Sequence, residues 1–420
     1  MAFWGATVYL LCTVLQPAEW IPIFEGVPLQ ELVLLMTIPV LAVSNKRFIE
    51  LLTYPPFKFF LLFIIISILS SRYMGLRYAL GTVGYFYIKL FMAMILIVLA
   101  LDTAEKLEKI LKIMVLGAFI VGFLCVRLYH TGEGVGAGIG THAQVLNWRG
   151  AVQWIGTFSG TNTTAMLLIF LLGLNFGLLF LSKSIVSKAV WLSVCLIVLY
   201  AFYLTHSRGG FIGLITILGA YFYRRVNINL KVFVPLAIML GLAVIVLKPQ
   251  EEGRGLGESS SPERVELFHQ SLQVFKNNPV IGIGVGQFAR NNPVKKRAHN
   301  IYLQQLAETG LVGAVLFSLA FFAGGKNLLV YMRRYKKEDK EFQISSTVLI
   351  SFIGLAATLF FLSPQSEMPY IMLAFMVALP FGSRINEPMP AKTIWFVLLI
   401  NVIVVIAVYI LVQMFFIIFR

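Results

Sequence analysis

The chain has 420 residues, 59% of them hydrophobic and 13% charged, and 35 are phenylalanine. A mean hydropathy of +0.85 is more than a soluble core accommodates, which excludes an ordinary water-soluble domain and leaves a polytopic helical membrane protein. The formal charge of +15 sits largely in short loops between apolar runs, which points to a membrane face and not to nucleic acid.

From the amino terminus, spans are expected at 3–16, 28–44, 57–73, 79–101 and 108–128. They continue at 162–182, 187–205, 210–223 and 231–248 and, after a long polar insertion, at 309–331, 344–363, 369–382 and 393–418. The expected fold is an all-α polytopic membrane protein of about 12–13 transmembrane helices, with a long outward loop bearing interfacial helices. It divides into amino-terminal spans (1–128), a first loop (129–161), central spans (162–248), a large loop (249–308) and carboxy-terminal spans (309–420). The run from Phe3 to Leu15 has no basic region before it and no small-residue cleavage pattern after it, so it is expected to remain as a span. Cys12, Cys125 and Cys195 fall inside apolar runs, far from any CxxC spacing.

Alternate loops are basic: "SNKRF", "EKLEK", "YRRVN" and "MRRYKKEDK". These belong on the cytoplasmic side, which places the amino terminus inside and the other loops outside. His130, His142, His206, His269 and His299 all fall in outward segments, whereas Asp102 and Asp339, the only aspartates, fall inward. An outward face with Arg, His and backbone amides but no Asp suits binding an anion without a metal.

Three outward segments carry candidate chemistry. In "LNWRGAVQWIGTFSGTNTTAMLL", Arg149 precedes a polar turn and Asn162 opens the next span. In "LTHSRGGFIG", Ser207 can cap the following helix. The exposed amides at Gly209 and Gly210 favour an anion, and Arg208 adds a planar cation that either binds phosphate or snorkels to headgroups. In the insertion, "SSSPERVELFHQSLQVFKNNP" reads as one helix with Arg264 in its first turn. Val265, Phe268, Leu272 and Phe275 form an apolar stripe expected to face the membrane surface. "PVIGIGVGQF" follows, and then "KKRAHNIYLQQLAETGLVG", in which Asn300 is a plausible cap and His299 stands at the helix mouth.

Together, "HSRGG", "GTFSGTNTTA", "NNPVIGIGVGQF" and "AHNIYLQQLAETGLVG" resemble the O-antigen ligase and polymerase family of bacterial membrane glycosyltransferases. The last phrase is the most specific. The close matches run from Gly156 to Gly313, the flanking spans agree only in hydropathy, and a family-typical proline before Asn162 is absent. The resemblance implies a metal-independent, inverting, cofactor-free glycosyltransferase of the bacterial cytoplasmic (inner) membrane, working on the periplasmic side. The implied donor is an undecaprenyl-diphosphate-linked glycan, and the acceptor is a lipid A-core, saccharide or protein hydroxyl. The activity would be that of an O-antigen ligase of lipopolysaccharide biosynthesis, an O-antigen or exopolysaccharide polymerase, or a protein O-oligosaccharyltransferase.

Carried onto this chain, the family's corner arginine falls on Arg208 and its histidine on His299. Its loop arginine falls on Arg264, with Arg254, Arg290 and Arg297 nearby as competitors. On that reading Arg208, Arg264 and the amides of Gly209 and Gly210 hold the diphosphate, and His299 takes the acceptor proton. Arg149, Arg297, Asn300 and Tyr302 are candidate substrate contacts. A transporter would instead place ionisable groups at the midplane of repeated halves. Here such groups within spans are few, Lys89 and Glu308 among them, and no repeat is evident.

Overall fold

The computed structural model describes residues 1–136, 144, 146, 150–226, 261–362 and 366–418. All regular structure among them is helical, with no strand. In chain order the helices are α1 (Ala2–Leu15), α2 (Leu29–Ser44), α3 (Arg47–Thr53), α4 (Pro55–Ser70) and α5 (Leu76–Ala100). Next come α6 (Ala104–Thr131), α7 (Thr161–Leu181), α8 (Ile185–Leu204), α9 (Arg208–Val226), α10 (Ser261–Asn277) and α11 (Gln287–Asn291). The last four are α12 (Ile301–Met332), α13 (Lys340–Leu359), α14 (Met368–Gly382) and α15 (Ala391–Ile418).

The protein is an all-α polytopic membrane protein. Apolar runs in a bilayer must satisfy their own backbone groups, so they fold as helices. Among the described residues eight helices are long and apolar enough to cross a membrane, or nine if α2 and α3, bent by 102°, count as one. Helices α1 and α14 are apolar but shorter. Each expected span coincides with a helix except 231–248, which lies outside the described residues.

The four basic loops meet at one end of the bundle. The Arg47 guanidinium reaches the carbonyls of Phe381 and Gly382, and the backbone of Asp102 packs against Gly382. Lys340 pairs with Glu108 at 2.6 Å, and Arg224 lies 5.1 Å over the Phe342 ring. The intervening loops meet at the opposite end, where Trp154 donates to the Val14 carbonyl at 3.2 Å and Ser207 to Asn162 at 2.7 Å. Alternate loops thus lie on opposite faces, as the charge pattern requires.

Small residues bring the helices that frame this second end into contact. Gly173 and Gly177 of α7 face Ser351 and Thr347 of α13, and a Cβ on Gly173 would stand 2.6 Å from the Ser351 hydroxyl. Gly213 of α9 likewise faces Thr358 and the Gly354 carbonyl. Such close approach replaces the hydrophobic driving force that lipid removes.

The helix expected from Ile301 toward Gly310 forms and runs on into the span expected at 309–331. Helix α12 starts at Ile301 and is broken at Gly310, where φ is 65° and ψ is −170°. The segment Pro279–Gly284 enters the break. Leu311 and Val312 donate to the carbonyls of Pro279 (2.8 Å) and Val280 (3.2 Å), while Ile283 and Gly284 donate to those of Ala307 (3.1 Å) and Glu308 (2.9 Å). A Cβ at Gly282 or Gly310 would collide with the facing backbone, so both positions require glycine. The glycine-rich phrase is therefore a docking strip for α12. Ser71 and Tyr78 pin its far side, each 3.0 Å from a backbone group of Val285.

Candidate functional site

The first part of the site is the turn between α8 and α9. The Ser207 hydroxyl accepts from the Gly210 amide at 3.3 Å and donates to Asn162 at 2.7 Å, so the cap of α9 is braced by the start of α7. The Gly210 amide is thus engaged by the Ser207 hydroxyl. Both glycines are also packing positions: a Cβ on Gly209 would lie 2.8 Å from Phe361 and one on Gly210 2.5 Å from Phe202. Arg208 is half-buried in the first turn of α9, where the unpaired end of a helix favours anions.

The second part is the entry to α12. Asn300 accepts from the amides of Tyr302 (3.0 Å) and Leu303 (3.1 Å), so the expected cap forms. Asn300 is 1% exposed and holds this turn. On the other side of His299, the buried Ala298 donates to Gln304 at 3.0 Å, and Gln304 donates to Glu308 at 2.9 Å. Held between two buried neighbours, His299 adopts a left-handed backbone with φ of 52°. That conformation costs a side-chain-bearing residue roughly 1–2 kcal/mol and here orients a half-buried imidazole.

The third part is the start of α10. Glu263 pairs with Lys296 at 2.8 Å and ties this helix to the segment before α12. Burial, then the positive charge of Arg264, then that of Lys296, push the His299 imidazole down from 6.5 to about 4. Arg297 acts in the same direction and Glu263 opposes them. Of the competing loop arginines, Arg264 acts most strongly on His299. Arg290 is exposed and lies 4.9 Å over Tyr78, and Arg254 falls outside the described residues. Arg297 is half-buried, its guanidinium lowered by burial and raised by Glu308.

The ends of α13 join these parts. The Phe360 ring packs at a tilt 4.8 Å from that of Tyr302, three residues beyond His299, while the next residue, Phe361, abuts Gly209. The structure thus groups Arg264, Lys296, Arg297 and His299, and brings the Arg208 turn to the same end of α13. Arg149 lies outside the described residues. The stripe of α10 is not left to lipid: Val265, Phe268, Leu272 and Phe275 join a cluster with Leu303, Ala307 and Ala314 of α12 and Val408 of α15. An apolar stripe satisfies itself equally against protein or acyl chains, which is why its sequence pattern did not distinguish them.

Residues 193–318 match the O-antigen ligase family model. The O-antigen ligase match covers Arg208, Arg264 and His299 together with the glycine strip and the broken start of α12. It supports a glycosyltransferase of ligase or polymerase type, working on glycan and lipid-linked substrates at a membrane. No curated protein matches the chain.

Outside the O-antigen ligase match lies a second charged cluster that sequence reasoning left unassembled. Lys89 of α5 pairs with Glu367 at 3.1 Å and with Glu31 at 3.3 Å. Glu367 also accepts from Tyr9 (3.1 Å), Thr13 (3.0 Å) and Gln30 (3.0 Å). The only sequence signal was Lys89 itself, since an ammonium within a span needs a partner.

Proposed function

We propose that this protein transfers a glycan from undecaprenyl diphosphate to an acceptor hydroxyl, as an O-antigen ligase does, without a metal and with inversion at the anomeric carbon. The active face is the one opposite the four basic loops, which the positive-inside rule makes periplasmic, in a bacterial inner membrane. The acceptor oxygen attacks the anomeric carbon while its proton passes to the His299 imidazole. The bond from that carbon to the phosphate oxygen breaks, and the lipid diphosphate departs with the electron pair. Arg208 and Arg264 receive the growing negative charge through charge-assisted hydrogen bonds, with the Gly209 amide at the start of α9 beside them.

The observation that carries this reading is the placement of a half-buried His299 at the mouth of α12 beside Arg264 and Lys296, whose charges with burial push its pKa down, within the O-antigen ligase segment. A neutral imidazole accepts a proton, and the cations that depress it are those an anionic donor needs. When the diphosphate arrives, its charge offsets theirs and strengthens the base.

The test is reconstitution of the full chain with a lipid-diphosphate glycan and each acceptor class in turn: lipid A-core, a second lipid-linked repeat, and a peptide hydroxyl. Transfer to lipid A-core, undiminished by a chelator and lost in His299→Ala and Arg208→Ala, is expected. Loss on chelation overturns the metal-free mechanism. Transfer only to lipid-linked repeats or to peptide reassigns the acceptor.

A further inference from the structure

A groove of about 600 Å³ runs along α12 from Ile301 and Tyr302, beside the candidate site, to Arg333 at the basic end. That is within the ~300–1,000 Å³ usual for ligand pockets. Its floor is the face of α12 from Phe317 to Arg333, about 24 Å of helix at 1.5 Å per residue. Phe352, Ala356 and Leu359 of α13 form a wall. Tyr302 stands at one end, and Lys326, Arg333 and Glu387 at the other.

Two adjacent glycines distinguish the groove from a packing fault. A Cβ on Gly324 would lie 2.8 Å from Leu373, so Gly324 brings α12 against α14. A Cβ on Gly325 would meet nothing within 4 Å, so Gly325 serves no helix contact and widens the groove. Charge is confined to the Arg333 end. Lys326 is tied to Glu387 at 3.7 Å and donates to the Pro388 carbonyl at 2.8 Å. Arg333 is exposed, and among the described residues no carboxylate pairs with it.

We infer that this groove binds an anionic glycerophospholipid, with an acyl chain along α12 and its phosphate at Arg333. The wall is apolar over its length and the cation stands where a headgroup of the leaflet on the basic face would lie. Anionic lipids gather at a cytoplasmic surface, where each nearby Lys or Arg contributes about fivefold to binding. A polyprenyl tail entering from the Tyr302 end would fill the same walls but give Arg333 nothing to bind. The inference does not depend on the transferase reading, and its test uses no glycan.

Full-length protein is stripped of lipid in detergent and loaded with equal phosphatidylglycerol and phosphatidylcholine, and retained lipid is measured by native mass spectrometry. Phosphatidylglycerol is expected to be held at least fivefold over phosphatidylcholine. Arg333→Gln should remove about fivefold of that preference. Gly325→Leu should displace the lipid, and because leucine favours helix its melting temperature should not fall. Equal retention of both lipids by the unaltered protein overturns the inference, as does unchanged phosphatidylglycerol binding in a folded Gly325→Leu. Displacement of phosphatidylglycerol by polyprenyl monophosphate, with that ligand lost in Gly325→Leu and kept in Arg333→Gln, assigns the groove to a carrier tail instead.

Discussion

Two charged clusters of this protein differ in how their charges are balanced. Around Lys89, one ammonium meets two carboxylates, and Glu367 accepts from Tyr9, Thr13, Gln30 and Lys89 together. Around His299, three cations bear on one imidazole, and Glu263 is the carboxylate that opposes them. The first arrangement joins α1, α2, α5 and the start of α14, and leaves little for a ligand to add. The second gathers positive charge beside a proton acceptor, and an anion improves it. Abundant charge marks both places; in the first each charged group has a partner of opposite sign, and in the second positive charge is in excess.

The largest expected effect breaks the second cluster. His299→Ala should cut transfer by roughly 10²–10⁴-fold, the usual contribution of a positioned base. His299→Gly should lose as much activity yet melt no lower than the unaltered protein, since glycine relieves the left-handed backbone. Transfer retained in the glycine variant would show that the turn, not the imidazole, matters.

Next in size is an effect on stability. Lys89→Met leaves Glu367 without its cation, which costs roughly 3–5 kcal/mol when one partner of a buried pair is removed. The melting temperature should fall sharply, and Lys89→Met combined with Glu367→Gln should recover part of the loss. A Lys89→Met protein that melts normally but transfers nothing would move this cluster from joint to site.

A smaller effect concerns pH. Because the His299 pKa is depressed to about 4, the base stays neutral in the free protein until pH falls toward that value. The acid limb of kcat/KM should therefore not reflect His299 until near pH 4, whereas the limb of kcat, read with the anionic donor bound, should lie higher. Arg264→Gln removes a positive charge, so the imidazole rises toward 6.5 and the kcat/KM limb should move up with it. An unmoved limb would place Arg264 away from the base.

The smallest effect is Asn300→Ala, which should lower stability by roughly 0.5–2 kcal/mol through the lost cap. Thermal melting checks it.

Much of this was legible in the sequence for definite reasons. Apolar runs located the spans because a bilayer admits few alternatives, and the basic loops sorted their ends. Ser207 and Asn300 read as caps because a short polar side chain before an apolar helix has little else to do. The Lys89 partners were not legible: Glu31 and Glu367 lie far along the chain, and hydropathy does not say which helices are neighbours. Nor was the break at Gly310, because a glycine in a helical pattern reads the same whether it continues the helix or admits another strip of backbone.

That break has a mechanical consequence. The outer turns of α12, which follow His299, are hydrogen-bonded to the strip at Pro279–Gly284, and only the turns beyond Gly310 continue as the long span. A span longer than the bilayer is thick tilts to fit it. In this protein the strip at Pro279–Gly284 is hydrogen-bonded to residues on both sides of Gly310, so a tilt of the long span is passed to the strip together with the turns that follow His299.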